Sequence, residues 1–362
     1  ARASPPAAVA CRRLCPLLLR GPIFWYSLPT MMMQASFAAK TLGRVLALGG
    51  ALLMSVAAVD KDASAASAAS IPKPVEHPRE IKTRELIAER EGLKLKLYEK
   101  WRAGSEEAWK QNGKVILLIH GATWASKCTF DPDPEHGYSM MEVLADAGYD
   151  VFAVDLHGYG RSERTDADWT DAVSAAKDVE AAVEFIRALR WVERVHLFGY
   201  QWGAQPAALY AAQKPQKVSR LALLGMRYRL IEKTGPLPVS PIRTLGQQAA
   251  LLKPEDGELD PEFVRRLAQV CRLEASQAPN GAVRDLYKAS PVDPTKLKAP
   301  TLIIQGERDG SPEQFKDRVQ FFGELASPAK WYTYLPGLGK YAPIERSHAR
   351  FDQALVSFFD QQ

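Results

Sequence analysis

Cysteine is scarce in this chain of 362 residues, with only Cys11, Cys15, Cys128 and Cys271. Four cysteines do not make a disulfide framework, and loss of an N-terminal leader would leave Cys128 and Cys271 as one bridge or two thiols. No His-x-x-x-His, Cys-x-x-Cys or clustered-carboxylate pattern suggests a metal, so none is expected. Gly158-Tyr159-Gly160-Arg161 lacks the third glycine of a dinucleotide fingerprint, and no cofactor is expected either. An excess of one charge is missing from most of the chain. The net charge is +5, yet residues 1–70 carry seven Lys or Arg against two Asp, and the other 292 residues hold 40 of each sign. The basic balance is therefore an N-terminal property, which removes the electrostatic case for nucleic-acid binding by the folded part.

Residues 1–30 contain no Met, are rich in Pro, Arg and Ala, and precede Met31-Met32-Met33. They read as non-native translation from upstream of a start. From Met31 onward, Lys40 and Arg44 form a positive n-region and residues 45–58 an apolar h-region. Small residues at Ser55 and Ala57, or in Ala63-Ser64-Ala65, offer cleavage sites. The 14 residues of 45–58 are short of the roughly 20 that a membrane helix needs. No Cys directly follows the run to carry a lipid. The expectation is a signal peptide over 31–58, a periplasmic or secreted product, and no stable membrane anchor after processing. Residues 59–84, Ala/Ser-rich and then Pro-containing, read as a flexible leader.

Beyond the leader, apolar runs alternate with helical patterns. Residues 93–101 read as an early strand, with Leu93, Leu95 and Leu97 on one face. Val115-Ile116-Leu117-Leu118-Ile119 is wholly apolar, as a central parallel strand must be. Strands are expected over 150–155, 195–198, 218–224, 300–309 and 331–335. Helices are expected over 139–147, 171–189 and 204–212, near 262–275, and from about Ser347 onward, with Phe351, Ala354, Leu355 and Phe358 at helical spacing. Residues 226–297 interrupt the alternation with Pro236, Pro238, Pro241 and a charged turn. The reading is an α/β core over 85–225 and 298–362 with an insertion at 226–297.

Between the strand at 195–198 and the helix at 204–212 lies Gly199-Tyr200-Gln201-Trp202-Gly203. A Gly-x-x-x-Gly turn there lifts the central side chain to the top of the sheet, and its glycines permit close backbone approach. His120-Gly121-Ala122-Thr123-Trp124 follows the first central strand. Asp155-Leu156-His157-Gly158-Tyr159-Gly160-Arg161-Ser162 follows the next, and Asp309 ends the strand that begins near Pro300.

In this order the segments resemble those of the α/β hydrolases, of the capped esterase, haloalkane dehalogenase and epoxide hydrolase type, along residues 85–362. The resemblance implies an α/β-hydrolase fold: a mostly parallel central sheet, helices on both faces and a helical cap at 226–297. It implies a small-molecule pocket between core and cap. Gly121, with the backbone N–H groups of Ala122 and Trp202, would form an oxyanion or ligand-binding site. His120 would brace its loop, and Asp309 would be the triad acid. His157 and His136 read as rim or surface groups.

Two triad positions depart from that family. Gln201 occupies the nucleophile position, and a primary amide cannot do what Ser, Cys or Asp does there. Aligning Gly339, Tyr341 and Glu345 with the family's Gly-His-(aromatic)-x-x-(aliphatic)-Glu loop puts Lys340 where the base should be. His348, eight residues on, is a backup base if that register is displaced. A neighbouring Asp309 would keep Lys340 protonated, which a general base must not be. The trio is read as an Asp309–Lys340 ion pair with the Gln201 amide hydrogen-bonded beside it. Cys128, beside Lys127, is an alternative nucleophile, although it and Ser126 also read as the start of a loop at the pocket rim.

Two functions follow from this reading. One is a secreted protein of degenerate triad that retains a ligand pocket without ordinary ester hydrolysis. The other is an active hydrolase on a small ester-like substrate, working through Asp309 with Lys340 or His348, or through Cys128.

Overall fold

The computed structural model describes residues 80–165, 169–229, 237–244, 252, 258–274, 276–288 and 290–361. The expected upstream segment, the signal peptide and the leader up to residue 79 lie outside them.

Eight strands form one sheet. In chain order they are β1 (Ile81–Arg90), β2 (Leu93–Arg102), β3 (Val115–Ile119), β4 (Asp150–Val154), β5 (Val195–Tyr200), β6 (Val218–Leu224), β9 (Thr301–Arg308) and β10 (Lys330–Gly339). Their spatial order is β1-β2-β4-β3-β5-β6-β9-β10. β1 and β2 pair antiparallel, as do β2 and β4, and every later pairing is parallel. β1 takes in residues 81–84, which the sequence reading gave to the leader.

The apolar run of β3 explains the layering. Val115, Leu117 and Ile119 point to one face and Ile116 and Leu118 to the other, and all five are fully buried. Each such side chain contributes roughly 2–3 kcal/mol on leaving water. On the first face lie α1 (Glu106–Asn112), α4 (Ala172–Arg190), α5 (Ala204–Gln213) and α8 (Pro312–Glu324), represented by Trp109, Val179, Ala207 and Phe321. On the second lie α3 (Met140–Asp146) and α9 (Ala349–Phe359), through Leu144, Phe351 and Leu355. The sequence is thus an α/β-hydrolase fold.

Between β6 and β9 the chain leaves the main sheet. It forms β7 (Ile242–Thr244), paired antiparallel with β8 (Gln277–Pro279), together with α6 (Pro261–Glu274) and α7 (Gly281–Asp285). α6 packs against the short helix α2 (Ser126–Phe130).

β3 sits between β4 and β5, and the chain leaves β3 toward β4 on one side and leaves β5 toward β6 on the other, so the loops after β3 and β5 part in opposite directions. Such a switch point leaves a crevice at the strand ends. The loops after β3, β5, β6, β9 and β10 all converge there.

Candidate functional site

The turn after β5 is built by glycines in hard contact. A Cβ on Gly203 would lie 2.2 Å from the His120 carbonyl oxygen and 2.6 Å from that of Ile119. A Cβ on Gly199 would lie 2.6 Å from the Ala204 Cα. No larger residue fits either place. The tip, Gln201, has φ +50°, a left-handed conformation that costs an L-residue roughly 1–2 kcal/mol. The frame of a nucleophile elbow is intact and strained.

Its side chain is tied down. The Gln201 amide nitrogen donates to the Tyr200 hydroxyl at 2.9 Å and to the Lys340 carbonyl at 3.1 Å. The Tyr200 hydroxyl donates to the same carbonyl at 3.0 Å. Gln201 therefore meets Lys340 through the backbone. The Lys340 ammonium lies 4.8 Å from the centre of the Tyr341 ring. Glu345 is buried and accepts from the Gly339 N–H at 3.0 Å, which fixes the start of this loop.

Asp309 stands beside the elbow. A Cβ on Gly225, at the end of β6, would lie 3.3 Å from Gln201 Cγ and 3.4 Å from Asp309 Oδ2. The sequence reading paired Asp309 with Lys340, and both line the larger cavity described below. A cation that reading did not name, Arg318 of α8, has its Nη1 3.1 Å from Asp309 Oδ2. The alignment is poor, and among the described residues Oδ2 accepts no hydrogen bond. Burial pushes the Asp309 carboxyl above the ordinary range, and Arg318, then Arg227 and Lys340, oppose that shift. Arg318 is itself buried, with Nε donating to the Met226 carbonyl at 3.0 Å and Nη1 to the Asp309 carbonyl at 2.7 Å. The sequence offered one signal for Arg318: it lies three residues before Phe321, on the inward face of an amphipathic helix.

His348 is elsewhere. It stands at the N-terminal edge of α9 without a side-chain capping bond, its Nδ1 2.7 Å from Asp352 Oδ2 and its ring against Tyr138, and it lines neither cavity described below. The displaced register that would have made it the base is not found. Cys128 is also withdrawn as a nucleophile. It lies buried in α2, a helix where the sequence suggested a rim loop, and lines neither cavity. A hydrogen bond with Cys271, and then burial, hold its thiol well above the ordinary cysteine range. Lys127 pairs instead with Glu274 at 3.7 Å. Cys128 and Cys271 are free thiols in this structure.

The two histidines near the oxyanion loop are structural. His120 is fully buried; the Leu156 N–H donates to its Nε2 at 3.1 Å, which leaves Nδ1 to donate to the Gly121 carbonyl at 2.8 Å. Burial depresses its pKa to about 4. His157, read as a rim group, is instead buried, with Nδ1 2.5 Å from Asp178 Oδ2. Asp178 is itself buried, although it lies on a helix whose other charged residues are exposed or partly exposed.

Two cavities meet at Gln201. The smaller, about 190 Å³, is walled by Gly121, Trp124, Tyr200, Leu252 and Tyr341. The larger, about 450 Å³, includes Ala122, Trp202, Gly225, Asp309 and Lys340. Gln201, Asp309, Lys340, Gly121, Ala122 and Trp202 are thus brought together. The insertion reaches the same place: the Trp202 indole donates to Asp285 Oδ2 at 2.9 Å, and Arg243 donates to the Ala122 carbonyl.

Comparison with known proteins agrees with this architecture. Residues 114–270 match the model of the alpha/beta hydrolase fold family. A 2-hydroxy-6-oxononadienedioate/2-hydroxy-6-oxononatrienedioate hydrolase of Paraburkholderia xenovorans is 24% identical over 223 residues, covering 60% of this chain and 68% of its own. A haloalkane dehalogenase of Mycolicibacterium paratuberculosis is 26% identical over 219 residues, covering 55% of this chain and 68% of its own. A solved serine hydrolase of carbazole degradation superposes with TM-score 0.55 at 19% identity, covering 78% of this chain and all of that one. The chain is a protein of α/β-hydrolase fold, and its sequence matches lie within the α/β-hydrolase superfamily.

Proposed function

We propose that this chain is an exported α/β-hydrolase-fold protein that holds a small molecule in its pocket and lacks ordinary serine-hydrolase chemistry. The carrying observation is Gln201 at the strained elbow tip, its amide engaged by the Lys340 carbonyl and the Tyr200 hydroxyl. An amide nitrogen has its lone pair delocalised into the carbonyl, so it is a very poor nucleophile and cannot form an acyl-enzyme. Asp309, bonded to Arg318, forms no acid–base dyad with an imidazole. What this reading keeps is the backbone: N–H groups of Ala122 and Trp202 bordering the cavity, able to bind a carbonyl or carboxylate without any reactive side chain. Residues 226–297 act as a cap, supported by the Arg243 and Asp285 contacts and by Leu252 in the cavity wall.

The test is covalent labelling by a fluorophosphonate probe together with turnover of p-nitrophenyl acetate and butyrate. We expect no labelling and negligible turnover. Stoichiometric labelling mapped to a pocket serine would overturn the reading. Export is tested by the N-terminus of the mature protein, expected between Ala57 and Ala69; a cytoplasmic product retaining residues 40–58 would rule it out.

A further inference from the structure

Four cationic side chains, Arg227, Arg308, Arg318 and Lys340, line the larger cavity against one carboxylate, Asp309. Arg318 is committed to Asp309, Gln305 and the Met226 carbonyl. Arg308 bonds the Gly337 carbonyl and lies 3.7 Å from Glu345. Lys340 rests against the Tyr341 ring. Arg227 differs from all three. It lies just past the end of β6, half-buried in the cavity wall, and makes no hydrogen bond or ion pair with any described residue. Burial, and then repulsion from Arg318, depress its pKa, while Asp309 pulls the other way. A guanidinium carries five donors in a fixed fork. Leaving that fork partly desolvated and unmatched costs stability unless an anion meets it.

We propose that Arg227 anchors a carboxylate-bearing small molecule, its carboxylate on the guanidinium and its body running along the cavity toward Gln201 and the Ala122 and Trp202 backbone. This rests on the reading that the cavity is a ligand site. A single uncommitted planar fork matches the two oxygens of a carboxylate bidentately. A phosphate dianion would call for a second uncommitted guanidinium, and Arg308 and Arg318 are engaged. The cation count therefore favours a monoanionic head group with an uncharged body.

The experiment is calorimetric titration of the full chain with phenylacetate, 3-phenylpropanoate and hexanoate, against their primary amides and inorganic phosphate, at low and high salt. At least one carboxylate should bind at least tenfold tighter than its amide, and more weakly as salt screens the contact. Arg227→Gln should weaken that binding tenfold or more, with Arg227→Lys in between. Without ligand, Arg227→Gln should melt at or above the wild-type temperature, because it removes an unmatched cation. That readout separates a lost anchor from a lost fold. The proposal is overturned if no carboxylate binds, if amides bind equally well, if phosphate binds tighter than every carboxylate, or if Arg227→Gln changes nothing. Ester turnover on the same samples reports independently on the absence of hydrolase chemistry, so either reading can fail without the other.

Discussion

Placing serine at 201 and histidine at 340 is the sharpest test of the proposal that this pocket lacks a working triad. Gln201→Ser places a hydroxyl on the strained tip, and Lys340→His places an imidazole on the loop after β10. Asp309 Oδ2 is buried and accepts no hydrogen bond, so an imidazole Nδ1–H at position 340 has an acceptor within the site. Serine alone has no base to take its proton. It should show at most the roughly 10³-fold advantage over water that binding and an oxyanion site confer without a working triad. Adding histidine should contribute about another 10²–10³, worth roughly 3–4 kcal/mol of transition-state stabilisation. A larger gain is not expected, because Arg318 competes for the carboxylate that must orient the imidazole. Lys340→His alone should gain nothing, so the pair should be strongly non-additive. The assay is burst and steady-state hydrolysis of p-nitrophenyl acetate by both single variants and the double, with melting curves to establish folding. Serine alone matching the double variant would refute the assignment of position 340. A folded double variant that stayed inert, and resisted fluorophosphonate, would refute the claim that acid and oxyanion backbone remain competent.

Gly203→Ala should destabilise the protein by roughly 2–3 kcal/mol, since its Cβ would sit 2.2 Å from a main-chain carbonyl; a melting temperature lowered by about 5–10 °C is expected, and an unchanged one would refute the packing. His120 titrates at about 4 in the folded protein, below the roughly 6.5 of an unfolded chain. The unfolded state therefore takes up the proton first, so stability is full above that value and falls by about 1.4 kcal/mol per pH unit as pH drops toward 4. Other shifted groups, His196, Asp150 and Asp155 among them, add their own contributions, so the readout is a difference: in urea titrations from pH 7 to 4.5, His120→Gln, whose carbonyl can replace Nε2 as acceptor, should lower the slope of stability against pH by about one proton relative to wild type. An unaltered slope would remove His120 as its cause. Cys128 and Cys271 should resist a thiol reagent such as dithionitrobenzoate until the protein unfolds, because both are buried and the Cys128 thiol is held neutral; rapid reaction of the native protein would contradict the packing of α2 on α6.

The central strands were legible because burial on both faces leaves only apolar residues; β6 runs Val218–Leu224, as its sequence predicts. The elbow was legible for a different reason, since only glycine satisfies the contacts at 199 and 203. β1 was not, because this antiparallel edge strand carries charge on both faces, Lys82 and Arg84 on one and Glu85 and Glu89 on the other, and shows no apolar run. Its loop brings Lys340 to the same cavity as Asp309, but the sequence reading did not name Arg318 as a cation on that carboxylate. Spacing from Phe321 records that Arg318 is on the inward face of its helix, but not that the helix returns to Asp309, which depends on how the chain turns after β9. The same holds for His157 and Asp178, 21 residues apart and bonded only because α4 lies across the sheet.

Gly203 touches the carbonyls of Ile119 and His120 with no room for a methyl group between them. The elbow and the loop after β3 are consequently clamped together like the jaws of a fixed gauge. The gap between the Ala122 and Trp202 amides is then set by repulsive contact, which resists compression far more steeply than a hydrogen bond resists stretching. A ligand cannot open or close that gap by binding. If the pocket binds a carbonyl or carboxylate as proposed, the bound oxygen must fit that gap as it stands, whatever residue occupies the tip.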